Sequence, residues 1–281
     1  MQRNKAIALA TSLLRNMGQD SCKLSAELIL AHVLGCTRLE LIIDNKKTLT
    51  ERDLETFHAL ILRRSQGEPL AYILGEKEFY GLTFKVTANT LIPRPETELL
   101  VDLAINLLPT DKKIIFADFG TGSGNIGLSL LYSQHSWQGF LIDKSLQALN
   151  VAKENAHSLD LSQRVSFILA SFIAPPIKAH SLDLIVANPP YIGLNEKDAV
   201  MPSVLAYEPK QALFSPNKGL YHLEACVRAG KSLLKEDSYL LVEHGANQGQ
   251  LVRQIFKHYN FRNIRTENDL STLERVTLGQ K

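Results

Sequence analysis

Residues 118–124 read Asp118-Phe119-Gly120-Thr121-Gly122-Ser123-Gly124, and what lies on either side of them decides the fold. The run 113–118 is short and apolar between Lys113 and Asp118, as a buried strand is. Residues 125–131 then have helical character. Glycines between a strand and a helix let the backbone turn tightly and approach a ligand closely. The free N–H groups at the helix start favour polar or anionic ligand atoms. Gly122, Gly124 and Gly127 also satisfy the spacing G-x-G-x-x-G, so a dinucleotide-binding loop stays open, as does a plain strand-to-helix turn. The carboxylate of Asp118 just ahead of the glycines suits a ligand with a positive amino group better than a pyrophosphate.

Downstream, apolar runs recur at 139–143, 165–170, 182–187 and 238–243 with helical stretches between them. That alternation indicates βαβ units and a parallel sheet, an α/β fold. Phe140-Leu141-Ile142-Asp143 ends in a carboxylate roughly 20 residues beyond the loop, where an acid can accept hydrogen bonds from both hydroxyls of a ribose. The other reading of Asp143 is an acid that stabilises the start of the next helix. Asn188-Pro189-Pro190-Tyr191 follows the strand at 182–187 and so falls at the carboxyl end of the sheet, where such folds bind ligands. Asn-Pro and Pro-Pro can mark a mere turn. Here, though, two prolines remove N–H donors and hold carbonyls in fixed directions. Asn188 adds a carboxamide oxygen and Tyr191 a flat face. Such a set accepts two hydrogen bonds from a planar –NH2 group and stacks on its plane.

Upstream, residues 1–75 read as helical. Leu24, Leu28, Ala31 and Leu34 recur at helical spacing before Gly35, and Thr50 caps a helix whose apolar face is Leu54, Phe57, Leu60 and Ile61. Residues 76–96 read as a hairpin around Gly81 and a proline-stiffened linker, Leu91-Ile92-Pro93-Arg94-Pro95-Glu96. The alternation of helix and strand occupies 97–281.

The 281 residues carry a formal net charge of +2, far from the balance of a dedicated nucleic-acid binder. Cys22, Cys36 and Cys226 form no C-x-x-C pair and the eight histidines show no ligand spacing, so neither a disulfide framework nor a metal site is expected. A reducing compartment, the cytoplasm, is the expectation. No run approaches the ~20 apolar residues of a membrane span.

The glycine loop, the acidic strand end and the Asn-Pro-Pro-Tyr segment, in this order, resemble class I methyltransferases acting on exocyclic or amide nitrogens. Gly67-Glu68-Pro69-Leu70-Ala71-Tyr72-Ile73, Arg94-Pro95-Glu96-Thr97-Glu98, Tyr207-Glu208-Pro209, Glu243-His244-Gly245 and Glu274-Arg275-Val276-Thr277-Leu278-Gly279 narrow the resemblance to the peptide chain release factor N5-glutamine methyltransferases, the PrmC/HemK family. It spans nearly the whole chain. The resemblance implies a Rossmann-like, doubly wound sheet of roughly seven strands that depends on S-adenosyl-L-methionine, with a small N-terminal helical domain joined by a hairpin.

It implies that Asp118, Gly120, Thr121, Gly122, Ser123 and Gly124 wrap the cofactor, that Asp143 holds its ribose, that Phe172 lies beside adenine, and that Asn188 borders both cofactor and substrate. Asn188, Pro189, Pro190 and Tyr191 would hold the substrate glutamine, with Asn188 and the Pro189 carbonyl serving the reaction and no residue acting as base. The implied partners are release factors. An acid expected just before the adenine-side aromatic is Ser171 here, and Phe214-Ser215-Pro216-Asn217 replaces an acidic, glycine-rich turn. Methylation of a ribosomal protein or of adenine in nucleic acid uses the same amide-like nitrogen and remains an alternative, as does an adaptor that binds cofactor without reacting.

Overall fold

A computed structural model describes residues 1–109 and 112–281. Two compact units emerge from its contacts: Met1–Glu76 with Met201–Tyr207, and Lys77–Val200 with Glu208–Lys281.

The first unit holds α1 (Arg3–Asn16), α2 (Cys22–Leu34), α3 (Arg38–Ile43), α4 (Glu51–Ser65) and α5 (Leu70–Leu74). Helix α4 begins in a capping box: the Thr50 hydroxyl accepts from Asp53 N–H and the Asp53 carboxylate from Thr50 N–H. Leu14, Ile29, Leu30, Leu41, Phe57 and Ile61 form its core. Helix α2 lies where expected and stops at Gly35, whose φ of +61° is a left-handed cap. Its buried face is different, however. Ala26, Ile29, Leu30 and Ala31 point inward, whereas Leu24 is 41% exposed. Cys22–Leu34 is apolar around much of its circumference, so spacing alone does not choose the buried stripe.

In the second unit β1 (Glu76–Phe79) and β2 (Leu82–Lys85) form a hairpin. Tyr80 and Gly81, with φ of +53° and +70°, supply the two positive φ values of a tight turn. Phe79 and Phe84 are buried in the same core as Leu100 and Val101 of α6 (Glu98–Leu107).

The main sheet comprises β3 (Ile115–Phe119), β4 (Gln138–Asp143), β5 (Val165–Leu169), β6 (Leu182–Ala187), β9 (Leu234–Glu243), β10 (Arg262–Asn268) and β11 (Glu274–Gln280). Its order is β10-β11-β9-β6-β3-β4-β5. Strands β9 through β5 run parallel, and β11 is antiparallel to both β9 and β10. The short strands β7 (Ile192–Gly193) and β8 (Phe214–Ser215) pair separately.

Helices α7 (Asn125–Ser133) and α8 (Leu146–Ser158) join α6 over one core. Helices α11 (Leu220–Leu233) and α12 (Gly249–His258) cover the other; α10 (Lys210–Leu213) is short, as is α9 (Pro202–Tyr207), which falls in the first unit. Within β3, Phe116 faces the first core and Ala117 and Phe119 the second. Strand order reverses at β3, which has β4 on one side and β6 on the other. The crevice at the carboxyl ends of these strands is where doubly wound sheets bind ligands.

Candidate active site

The glycine loop is built from beneath. Asp118 is fully buried, and its Oδ2 accepts from the Thr121 hydroxyl at 2.6 Å and from Gly127 N–H at 3.1 Å. Burial pushes its carboxyl up to about 6 against those two hydrogen bonds. Its Oδ1 is buried without a hydrogen-bond partner among the described residues. Asp118 therefore braces the loop rather than lining the space in front of it. Gly120 and Gly122 have φ of +72° and +57° and face that space. Gly124 is needed for packing: a Cβ there would sit 2.9 Å from Leu128 Cδ1 and 3.2 Å from Ala152 Cβ. Asp143 fastens the loop from the neighbouring strand, its Oδ2 accepting from Gly122 N–H at 3.0 Å and its Oδ1 from Ser145 N–H at 2.9 Å.

A cavity of about 270 Å³ opens here. Of the residues the sequence singled out, Gly120, Gly122, Asp143, Phe172, Asn188 and Pro190 line it together, while Asp118, Thr121, Ser123, Gly124, Pro189 and Tyr191 do not. Phe172 stacks on Phe119 with ring centroids 5.7 Å apart, so the second core fixes its plane. His222 meets Phe172 edge-on at 6.0 Å, with its Nδ1 2.8 Å from the Ser215 hydroxyl. Ser171 also lines the cavity, and its hydroxyl accepts from Ile173 N–H at 3.3 Å. A glycine floor, a carboxylate with hydrogen-bonding capacity and an aromatic wall fit a nucleoside whose tail crosses the loop.

Asn188 stands at the far side, directly after β6. Its Nδ2 donates to the buried Thr97 hydroxyl at 3.1 Å. The Tyr191 carbonyl accepts from Gln248 Nε2 at 2.9 Å, and a Cβ at Gly219 would fall 2.0 Å from that carbonyl oxygen, so only glycine fits there. The Tyr191 hydroxyl lies 3.5 Å from Glu243 Oε1. Glu243 is fully buried at the end of β9, and burial pushes its carboxyl up to about 7. Arg275 and the Thr97 and Tyr191 hydroxyls oppose that shift, while Glu96 adds to it. His244 is committed on both ring nitrogens, with Nδ1 2.9 Å from the Gly245 carbonyl and Nε2 2.8 Å from the Thr277 hydroxyl.

The Glu243 carboxyl has a consequence for stability. Its folded value lies above the unfolded one, so the folded state holds the proton more tightly, and stability is lost as pH rises from about 4.5 through 7. The full effect is on the order of 3 kcal/mol. Glu243→Gln removes the titration. Its melting temperature, relative to the unsubstituted protein, should rise by several degrees more at pH 8 than at pH 5. An equal difference at both pH values would show that Glu243 is ionised throughout.

Comparison with known proteins brings these features under one family. Residues 5–75 match the PrmC N-terminal domain and residues 97–215 the methyltransferase small domain. The release factor glutamine methyltransferase of Vibrio cholerae is 39% identical over 98% of this chain and 95% of its own. That of Nitratidesulfovibrio vulgaris is 36% identical over 93% and 89%. The chain belongs to the release factor glutamine methyltransferase family. It is an enzyme with the α/β class I methyltransferase fold, and its cofactor is S-adenosylmethionine.

Membership gives sense to residues that spacing alone leaves obscure. Glu208 is buried, and its carboxylate accepts from Ile92 N–H at 3.2 Å and from Arg94 Nη2 at 2.5 Å. Glu208 and the Ile92-Pro93-Arg94 stretch are thus two halves of one contact. Asn155, a missed residue on α8, is buried and donates to the Ser123 carbonyl at 2.8 Å and the Lys85 carbonyl at 3.0 Å, while accepting from Lys85 N–H at 2.7 Å. It ties the hairpin to the glycine loop. A single asparagine within a helix carries no pattern that could have announced this.

Proposed function

We propose that this protein methylates the side-chain amide nitrogen of the glutamine in the Gly-Gly-Gln motif of class I peptide chain release factors. The observation that carries the reading is Asn188 at the cavity rim: its Nδ2 donates to Thr97, and its Oδ1, beside Pro190, has no hydrogen-bond partner among the described residues. S-adenosylmethionine, when bound, supplies an electrophilic methyl group on sulfur. Gly120 and Gly122 would carry its backbone-hugging tail, Asp143 its ribose hydroxyls and Phe172 its adenine.

The chain's task is to make a poor nucleophile attack. An amide nitrogen shares its lone pair with the carbonyl. Asn188 Oδ1 and the Pro189 carbonyl accept its two N–H bonds, which orients the nitrogen and stabilises the positive charge that grows on it. The Tyr191 ring holds the amide plane. The methylated nitrogen is a strong acid and sheds a proton to water without a base. His244, with both ring nitrogens engaged, is not placed to receive it.

A glutamine that follows two glycines can enter a narrow site without clashes from neighbouring side chains. Most affinity then comes from contacts remote from the amide. The helical first unit, with its own core and none of the cofactor residues, docks the folded substrate in the cytoplasm. A net charge of +2 gives little general attraction for phosphates, which disfavours the nucleic-acid alternative.

Mass spectrometry of an intact release factor incubated with enzyme and cofactor should show one added methyl on that glutamine, absent when the glutamine is replaced. Free glutamine and short peptides should be poor substrates. Transfer to nucleic acid or a ribosomal protein, with none to the release factor, would reject the assignment.

A further inference from the structure

Two prolines in a row leave the segment 188–191 with an anchoring problem. Pro189 and Pro190 have no N–H, so neither can donate a main-chain hydrogen bond to its surroundings. The segment is held at its ends. At the front, Asn188 Nδ2 donates to the Thr97 hydroxyl at 3.1 Å. At the rear, the Tyr191 carbonyl accepts from Gln248 Nε2 at 2.9 Å. The ring that the mechanism lays against the substrate amide leaves the chain at that rear anchor.

Gln248 stands just before α12 and reaches three loops at once. Its Nε2 donates to the Tyr191 carbonyl and, at 3.3 Å, to the Lys218 carbonyl, while its Oε1 accepts from Gly245 N–H at 2.9 Å. One loop follows β6, one precedes α11 and one follows β9. All three partners are main-chain groups whose donor and acceptor roles cannot change. The carboxamide therefore has one orientation. Turning it over would set its oxygen against two carbonyl oxygens and its NH2 against an N–H.

Glycines let the loops come this close. A Cβ on Gly219, whose φ is +85°, would fall 2.0 Å from the Tyr191 carbonyl oxygen and 2.6 Å from Gln248 Nε2. One on Gly245 would lie 3.1 Å from Gln248 Oε1 and 3.7 Å from Tyr191 Cδ2, so carboxamide and ring share one small space. The clamp is also distinct from the cofactor's surroundings. Asn188 and Pro190 line the cofactor cavity, whereas Tyr191, Gly245 and Gln248 line a separate cavity of about 530 Å³.

We infer that Gln248 is a positioning residue for methyl transfer: by fixing the Tyr191 carbonyl between the loops after β6 and β9, it sets where the Tyr191 ring meets the substrate amide. Its effect on turnover rests on the glutamine reading above; its placing of Tyr191 does not. The same clamp gives Gly245 of the Glu243-His244-Gly245 stretch a task, since its N–H holds the carboxamide the right way round.

The test compares Gln248→Met and Gln248→Glu in the full chain at pH 8. Methionine keeps the length of the side chain without its hydrogen bonds. Glutamate keeps an acceptor for Gly245 N–H but sets a carboxylate oxygen against the Tyr191 carbonyl. The main-chain bonds of residue 248, from its N–H to the Gly245 carbonyl and from Val252 N–H to its own carbonyl, survive in both. Both variants should therefore fold and melt only a few degrees lower. The first readout is fluorine-19 NMR of protein labelled with 3-fluorotyrosine. The Tyr191 signal, one of eight, is assigned by its absence in Tyr191→Phe. It should shift and broaden in both variants while most of the other signals stay in place.

The second readout is single-turnover methyl transfer onto an intact release factor. The rate should fall about ten- to a hundredfold, the scale of misplacing a reacting group by about an ångström, and further with glutamate than with methionine. Cofactor Kd and substrate KM should stay within about twofold, because Gln248 does not line the cofactor cavity and most substrate affinity arises away from the amide. In a Tyr191→Ala background, adding Gln248→Met should cost less than about twofold more, since the ring it places is gone. A residue that only supports the fold would cost as much in either background. A Tyr191 signal unmoved in both variants, a moved signal with the rate intact, or additive losses would each overturn the role given to Gln248. If the unsubstituted enzyme leaves release factors unmethylated, the glutamine reading fails instead, and the fluorine signal still decides whether Gln248 places Tyr191.

Discussion

Asn188→Ala should lower single-turnover methyl transfer about a hundredfold or more while leaving the fold and most of the cofactor affinity in place. The size is that of losing one preorganised electrostatic partner in a water-poor site. Asn188 contributes the one side-chain carbonyl oxygen of the Asn-Pro-Pro-Tyr segment, and the neighbouring carbonyls cannot replace it because the prolines fix their directions. Its Nδ2 is held by Thr97, so the oxygen is already aimed before substrate arrives. Truncation removes both the acceptor and its aim. A substitution that merely loosened the crevice would raise the Kd for cofactor, since Asn188 also lines that cavity. Calorimetry beside single-turnover kinetics separates the two. A rate near that of the unsubstituted enzyme would refute the role given to Asn188.

The legible part of this site was the part written in local chemistry. The loop at 118–124 showed because glycines at positive φ, flanked by a strand and a helix, leave a sequence signature whatever else surrounds them. Asp143 and Asn188 showed because strand ends in a parallel sheet are where ligands bind. What the sequence concealed depends on register and on distant partners. Asp118 reads as a ligand contact but spends Oδ2 on Thr121 and Gly127, because the loop's own N–H and hydroxyl donors lie nearer than the cavity. Asn155, 32 residues beyond Ser123, bonds its carbonyl only because α8 packs against β4. Likewise Glu208 meets Arg94 across 114 residues.

The same division holds for the fold. The five parallel strands are apolar enough to stand out, although β9 begins at Leu234, earlier than the 238–243 run suggests. Strands β10 and β11 did not emerge from the pattern. Arg262-Asn263-Ile264-Arg265-Thr266-Glu267-Asn268 is mostly polar because β10 is an edge strand with much of its surface in water. Only the family resemblance implied a sheet of about seven.

Asp143→Ala should weaken S-adenosylmethionine binding by roughly 10- to 150-fold, since hydrogen bonds to a charged group contribute ~1.5–3 kcal/mol. The structure adds a second reason for the loss. Asp143 holds Gly122 N–H through Oδ2 and Ser145 N–H through Oδ1, so its removal also frees the loop that forms the cavity floor. These two contributions separate with Asp143→Asn, which keeps one oxygen for a backbone N–H but loses the charge offered to the ribose. If ribose binding dominates, the asparagine variant should be nearly as weak as the alanine variant. If bracing of the loop dominates, it should recover most of the affinity. Stability should change little in either, because burial already raises the Asp143 carboxyl above its ordinary range, and a carboxylate held at that cost is not a net support of the fold. Calorimetric titration with cofactor, beside thermal melts, measures both. Unchanged affinity in Asp143→Ala would remove the ribose assignment, and with it the orientation of the nucleoside along Gly120, Gly122 and Phe172 that points the reactive end at Asn188.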